Sequence, residues 1–355
     1  GTHARERERD PTHPRTMVVL VSCYSADGEF LLCATTSGWV HVWRTQSSRE
    51  DDALPAAAHV SSVRLHTCAI YSISLVDAQG VPLLISSTDS DVCGWKWEAV
   101  LADQSAPVPL FQFQNTRSDC GPPAEVNALA FDVSSARLYA GSGDGNAYGW
   151  DLATQRCVST FAGHKDMVHC LALRQRHQQL ITGSEDGTMR LWDVRSQSCA
   201  HVLQPHLPPL TEARASTNGN PSSTPAGLWC SCMALDADEI WLAAGWGAGY
   251  LTTIELNALA CVACLPTAAP PQAVGFLGTD GHLVSVGAEQ GVYHWNVTGE
   301  LLTRATCCSP SAFALATHSS NGQEMVAVGG SSPFIDIFSD MSHKLMSVAV
   351  PSEQV

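Results

Sequence analysis

Residues 168–203 divide into four short apolar runs, at 168–173, 180–184, 188–194 and 199–203, each closed by turn-forming residues. In the third run Met189 and Leu191 point one way and Arg190 and Trp192 the other, the period of two that a β-strand imposes. Runs this short, broken by turns, predict a four-stranded antiparallel sheet rather than helices.

The arrangement recurs. Gly183-Ser184-Glu185-Asp186-Gly187-Thr188-Met189-Arg190-Leu191-Trp192-Asp193 has a near twin in Gly141-Ser142-Gly143-Asp144-Gly145-Asn146-Ala147-Tyr148-Gly149-Trp150-Asp151, and the two Trp-Asp pairs lie 42 residues apart. That spacing is similar to the period of roughly 40–45 residues in WD repeats, whose unit is a four-stranded blade. The same slot continues through Trp43, Trp95, Trp150, Trp192, Ile254, Trp295 and Phe338, at intervals of 52, 55, 42, 62, 41 and 43. Seven slots predict an all-β fold, a seven-bladed β-propeller over residues 17–350 with tails at 1–16 and 351–355. A blade can bury both faces only between two neighbours, so the ring should form one cooperative core.

The three long intervals predict insertions at 47–58, 102–123 and 206–227. These stretches are rich in Pro, Ser, Ala, Asn or acidic residues and lack sustained strand or helix periodicity. Residues 344–350 can supply the outer strand of the seventh blade; an N-terminal strand completing that blade is the alternative.

Composition narrows the function. Apolar residues make up 45% and charged residues 15%, which supports a large core and excludes a disordered chain. Nineteen Lys and Arg against 34 Asp and Glu give a net charge of -15, unfavourable for direct grip on nucleic-acid phosphates. The alternating signs of Arg5-Glu6-Arg7-Glu8-Arg9-Asp10 suggest a solvated tail. Fourteen cysteines scattered singly through apolar stretches predict reduced core thiols and an intracellular protein, and no apolar run is long enough for a membrane span.

Candidate chemistry is sparse. His164, Thr182, Asp186 and Trp192 stand where WD propellers place a buried hydrogen-bonded chain, so the resemblance implies a structural network rather than an acid–base pair with a nucleophile. Partial versions are expected at Asp144 and Trp150, where Ala140 and Pro122 fill the other two slots, and at Ser285, Glu289 and Trp295. The glycine-rich stretch from Gly141 to Gly145 precedes a strand and not a helix, so it predicts a hairpin turn and not a phosphate cradle. Cys261 and Cys264 have half-zinc-site spacing, but residues three apart on a regular strand face opposite ways, whereas Cys230 and Cys232 should share a face. Cys307 and Cys308 are adjacent. None of these has a partner pair at zinc-finger spacing, so no metal or cofactor is expected. Trp39, Trp43, Trp95, Trp97, Trp241 and Trp246 could stack on bases, but their position in or beside strands predicts packing. No Gly-x-Ser-x-Gly, His-Glu-x-x-His or phosphate-loop motif occurs, and a non-catalytic protein is expected.

The stretch from Ala162-Gly163-His164-Lys165-Asp166-Met167-Val168 through Trp192-Asp193-Val194-Arg195 resembles the fourth blade of the THO complex subunit 6 family. Ser25-Ala26-Asp27-Gly28, Trp95-Lys96-Trp97-Glu98 and Glu125-Val126-Asn127 align more loosely. The resemblance implies a nuclear scaffold in the THO part of the transcription–export (TREX) assembly, which couples transcription and splicing to mRNA export. It implies docking on a coiled-coil pair of sister subunits, with RNA reached only through partners and no membrane. Residues 180–195 also resemble the box by which WD proteins attach to the adaptor of cullin-4 ubiquitin ligases, which would assign that contact to Trp192, Asp193 and Arg195. Trp-Asp-x-Arg also arises from repeat chemistry alone.

Overall fold

Seven four-stranded antiparallel sheets stand as blades around one axis, each built from four consecutive strands. The computed structural model describes residues 18–45, 57–102, 107–114, 124–204, 228–320, 323–339, 341 and 343–353. The tail at 1–16 lies outside the described residues, as does the insertion at 206–227. Blade four consists of Val168–Arg174, Gln179–Ser184, Met189–Asp193 and Ser198–Leu203. The seven slot residues all sit on third strands, from Trp43 on Trp39–Thr45 to Phe338 on Phe334–Ser339.

Alternation sends each strand's side chains into two different seams. In blade four Met189 and Leu191 join Cys230, Leu242 and Trp246 of blade five, while Trp192 joins Tyr139 and Phe161 of blade three. Every pair of neighbouring blades encloses such a cluster of buried apolar side chains, seven in all. The fully buried Trp43, Trp192, Trp246 and Phe338 are among the largest side chains in these seams.

Two insertion boundaries are corrected. The expected insertion at 102–123 contains the outer strand of blade two, Phe111–Gln114, in which the phenylalanines are buried and the glutamines exposed. Four residues of Phe-Gln alternation are too short a signal to stand out from a Pro- and Ser-rich background. A helix, Trp97–Leu101, precedes it, and Trp97 meets Phe30 of blade one edge-on at 5.4 Å between ring centroids. The expected insertion at 47–58 ends early, because the outer strand of blade one begins at Ala57.

Both arguments about cysteine faces are also overturned, and by one cause. In blades one and three to seven the register between third and outer strands shifts just before the slot residue. A bulge adds one residue to one strand and so reverses the parity of everything beyond it. In blade five it lies at Val262, so Cys261 pairs with Ile254 and Cys264 with Thr252, which places the two cysteines on the same face. A second shift pairs Cys230 with Trp246 and Cys232 with Gly245, which places those two on opposite faces. Cys230 Sγ lies 3.6 Å from Cys170 Sγ in the seam with blade four.

Among the described residues the ring closes without exchanging a strand. Val19–Tyr24 is the inner strand of blade one, and blade seven takes all four of its strands from Ala312–Ser320 onward, ending in His343–Ala349. The alternative of an N-terminal strand completing the last blade is therefore not realised. Side-by-side packing joins the ends: Val19, Leu31 and Trp43 share a cluster with Ala327, Ile335, Ile337 and Val350. The residues after blade seven then reach back to blade one, where the Glu353 carboxylate accepts hydrogen bonds from Thr35 Oγ1 at 2.7 Å and from Ser37 Oγ. His41 Nε2 stands 3.7 Å from the same carboxylate.

Replacing Glu353 with alanine removes the acceptor shared by Thr35 and Ser37 across this seam. The expected cost is about 1–3 kcal/mol, read as a lower urea midpoint at unchanged slope; an unaltered midpoint would show that the contact contributes nothing to closure.

Candidate functional site

Blade interiors are filled, so the surfaces left for function are the two rims and the channel. Because strands alternate in direction, the links between blades and the turns between second and third strands emerge on one rim, the linker rim. The turns after the first and third strands form the other, the turn rim.

On the linker rim of blade four, His164 Nδ1 lies 2.9 Å from Asp186 Oδ2 and His164 Nε2 lies 2.7 Å from Thr182 Oγ1. Trp192 Nε1 donates to the same Thr182 oxygen at 2.8 Å. The ionised Asp186 can only accept and the indole N–H can only donate, so Nδ1–H gives to the carboxylate and the indole to the Thr182 oxygen, which also bonds His164 Nε2. Burial works against the Asp186 charge, but hydrogen bonds from His164, Thr188 and the Lys165 amide prevail and hold it far below the usual carboxylate range. The side chains of His164 and Asp186 are only 1% and 7% exposed, and Thr182 is fully buried. With every polar group partnered and the hydroxyl sealed from solvent, the constellation fits a clamp between link, second strand and third strand. It offers no open nucleophile.

The expected partial networks divide. In blade six Trp295 Nε1 donates to Ser285 Oγ at 2.9 Å, but Glu289 turns to Arg304, 3.7 Å away, and to the Tyr293 hydroxyl. In blade three Asp144 accepts the Tyr148 hydroxyl at 2.6 Å, while Trp150 stacks on Phe113 with centroids 4.7 Å apart. Blade two holds a network that the sequence reading missed. His66 Nε2 and Trp95 Nε1 each lie 2.8 Å from Ser86 Oγ. Burial lowers His66 to about 4, against the opposing pull of Asp91 and Asp89, so the ring is neutral at pH 7. Its signal was a His, Ser, Trp order at separations of 20 and 9 residues, against 18 and 10 in blade four.

On the turn rim, Trp192, Asp193 and Arg195 are placed differently from one another. Trp192 is buried, and Asp193 Oδ1 accepts the Arg195 and Ser196 amides at 2.9 and 2.8 Å, which shapes the turn. Arg195 itself is exposed. The glycine-rich stretch is a hairpin turn between Arg137–Ser142 and Asn146–Asp151, with Gly145 at φ +82°. A Cβ on Gly145 would meet the backbone oxygens of Asp166 and His164 at 3.1 and 3.2 Å, so the turn lies directly against the next link.

Trp43, Trp95, Trp97 and Trp246 are buried and present no free stacking face, while Trp39 and Trp241 are half-buried. Among the described residues no three His, Cys, Asp or Glu side chains are grouped to hold a metal ion. A cavity of about 500 Å³ opens where the inner strands of blades five to seven reach the turn rim, lined by Ala234, Gly275, Phe276, Leu315, Thr317 and Ser319, all uncharged.

Comparison with known proteins gives this ring a context. The WD domain, G-beta repeat family matches residues 113–151 and 155–193. THO complex subunit 6 of Arabidopsis thaliana is 31% identical over 296 residues, covering 80% of this chain and 75% of that protein. The THO complex subunit 6 homolog of Mus musculus is 25% identical over 337 residues, 94% of this chain and 93% of its own. THO complex subunit 6 of Homo sapiens matches at the same identity and coverage.

Two outcomes follow from the clamps. Asp186→Ala or His164→Ala leaves buried partners unsatisfied and should cost about 1–3 kcal/mol, lowering the melting temperature; an unchanged value in both would show that the chain of bonds is not formed. For His66 the folded value lies below the ordinary 6.5, so the unfolded chain binds more protons and stability is lost as pH falls from about 6.5 toward 4. The slope should reach at most about 1.4 kcal/mol per pH unit, and it should shrink in a His66→Asn variant measured by urea unfolding across that window.

Proposed function

The chain belongs to the THO complex subunit 6 family of WD-repeat proteins, and from that premise we propose that it is a non-catalytic scaffold of the nuclear THO complex. In this reading it docks on a coiled-coil pair of sister subunits and supports co-transcriptional assembly and export of mRNA within TREX. The observation that carries the reading is the extent of the similarity, which runs over 94% of the chain in the mouse and human relatives and so includes blades with no recognisable Trp-Asp signature. Generic repeat chemistry accounts for likeness in blade four; it does not account for likeness across the whole ring.

The physical features agree with a docking role. Polar clamps hold the ring from inside, so the exposed turns remain free for partners. A net charge of -15 disfavours a direct hold on RNA phosphates, so RNA is reached through the partners.

A second reading rests on Arg195. Its exposed position just past the third strand of blade four suits contact with a cullin-4 ligase adaptor, while the buried Trp192 and the turn-capping Asp193 would act by positioning it.

Affinity purification of the tagged chain from nuclear extract, read by mass spectrometry, should recover the coiled-coil THO subunits in amounts that Arg195→Ala leaves unchanged. Recovery of the cullin adaptor instead, lost on Arg195→Ala, favours the second reading, and recovery of neither rejects both.

A further inference from the structure

The link from blade six to blade seven carries a group of reactive and charged side chains outside the clamps. Cys308 is exposed on this link. Asp336, on the third strand of blade seven, is 1% exposed and accepts hydrogen bonds from the Cys308 amide, from Ser347 Oγ at 2.6 Å and from Lys344 Nζ at 2.8 Å. The same Lys344 nitrogen lies 2.9 Å from Cys308 Sγ. The buried carboxylate therefore pins an ammonium against an accessible sulfur.

Lys344 keeps its charge there: burial opposes it, but hydrogen bonds to Asp336 and Cys308 outweigh burial and raise its pKa. A cation hydrogen-bonded to sulfur stabilises the negative charge that the sulfur needs in order to attack, and reactive thiols occupy electropositive, accessible surroundings of this kind.

Among the described residues two other cysteines are exposed and provide an internal comparison. Cys157 Sγ donates to the Ser159 carbonyl at 3.4 Å and Cys261 Sγ to the Ala263 carbonyl at 3.5 Å, neither of which is a cation. Neighbouring Cys307 is buried, with its sulfur directed at the carbonyls of Gln290 and Ser309.

We propose that Cys308, with Lys344 as its positioning residue, is a covalent modification site that undergoes thiol–disulfide exchange with small disulfides of the glutathione class. The Cys308 thiol gives its proton to solvent and its sulfur attacks one sulfur of the disulfide. A new S–S bond forms as the old one breaks, and the departing thiolate takes up a proton. The attacking lone pair becomes the new bond and the pair of the broken bond leaves with the departing sulfur, so the Cys308 sulfur rises by one in formal oxidation state and the departing sulfur falls by one. The adduct places a peptide-sized group on the linker rim between blades six and seven.

The test treats the full folded chain with oxidised glutathione at neutral pH and follows each cysteine by peptide mass spectrometry at short times. Cys308 should be modified at least about tenfold faster than Cys157 or Cys261, and iodoacetamide, which alkylates without any redox step, should give the same ranking. Lys344→Met should bring the Cys308 rate down to that of the other two, while Lys344→Arg restores most of it and neither change alters Cys157 or Cys261. Continued protection of the buried Cys170 and Cys230 reports that the variants are folded. Should a variant unfold, the wild-type ranking still decides. Equal rates at Cys308, Cys157 and Cys261, or a Cys308 rate indifferent to Lys344→Met, overturn the proposal.

Discussion

The structure depends on one constraint: a four-stranded blade of this sequence is apolar on both faces and has no interior of its own. Leu191 and Trp192 are adjacent in the chain, yet they enter different seams, one with blade five and one with blade three. No blade can therefore be buried unless both neighbours are present, and the last must meet the first. The two rims, and so the surfaces available for partners, follow from satisfying that requirement with seven units.

Much of this was legible because repeat spacing survives weak conservation of individual residues. Ile254 and Phe338 were placed on third strands by interval alone, although neither is a tryptophan. What could not be read was local parity. A bulge leaves composition and hydropathy unchanged while exchanging the two faces of a strand, and so the relations between Cys261 and Cys264, and between Cys230 and Cys232, came out reversed. The His66, Ser86 and Trp95 cluster escaped for a related reason, since its separations differ from those in blade four by two residues and by one. The cluster of Cys308, Lys344 and Asp336 has no spacing signature, because its members come from a link and two different strands.

The repeat as a unit of sequence and the blade as a unit of structure are out of phase. The family match at 155–193 begins at the outer strand of blade three, Arg156–Ala162, and ends with the third strand of blade four. Each repeat therefore spans a seam, and the His164 clamp lies where one blade hands over to the next. This staggering places the polar bonds of the clamp at the link between blades three and four.

The seam between blades seven and one is built differently from one in which a strand is exchanged. There, shear would have to break a whole ladder of backbone hydrogen bonds together; here, among the described residues, the first and last blades are joined by apolar contact and a carboxylate strap. Among the described residues, tension between blades seven and one is thus carried by side chains, and the ring behaves less like a welded hoop than like a buckled belt, with its place of release set at the buckle.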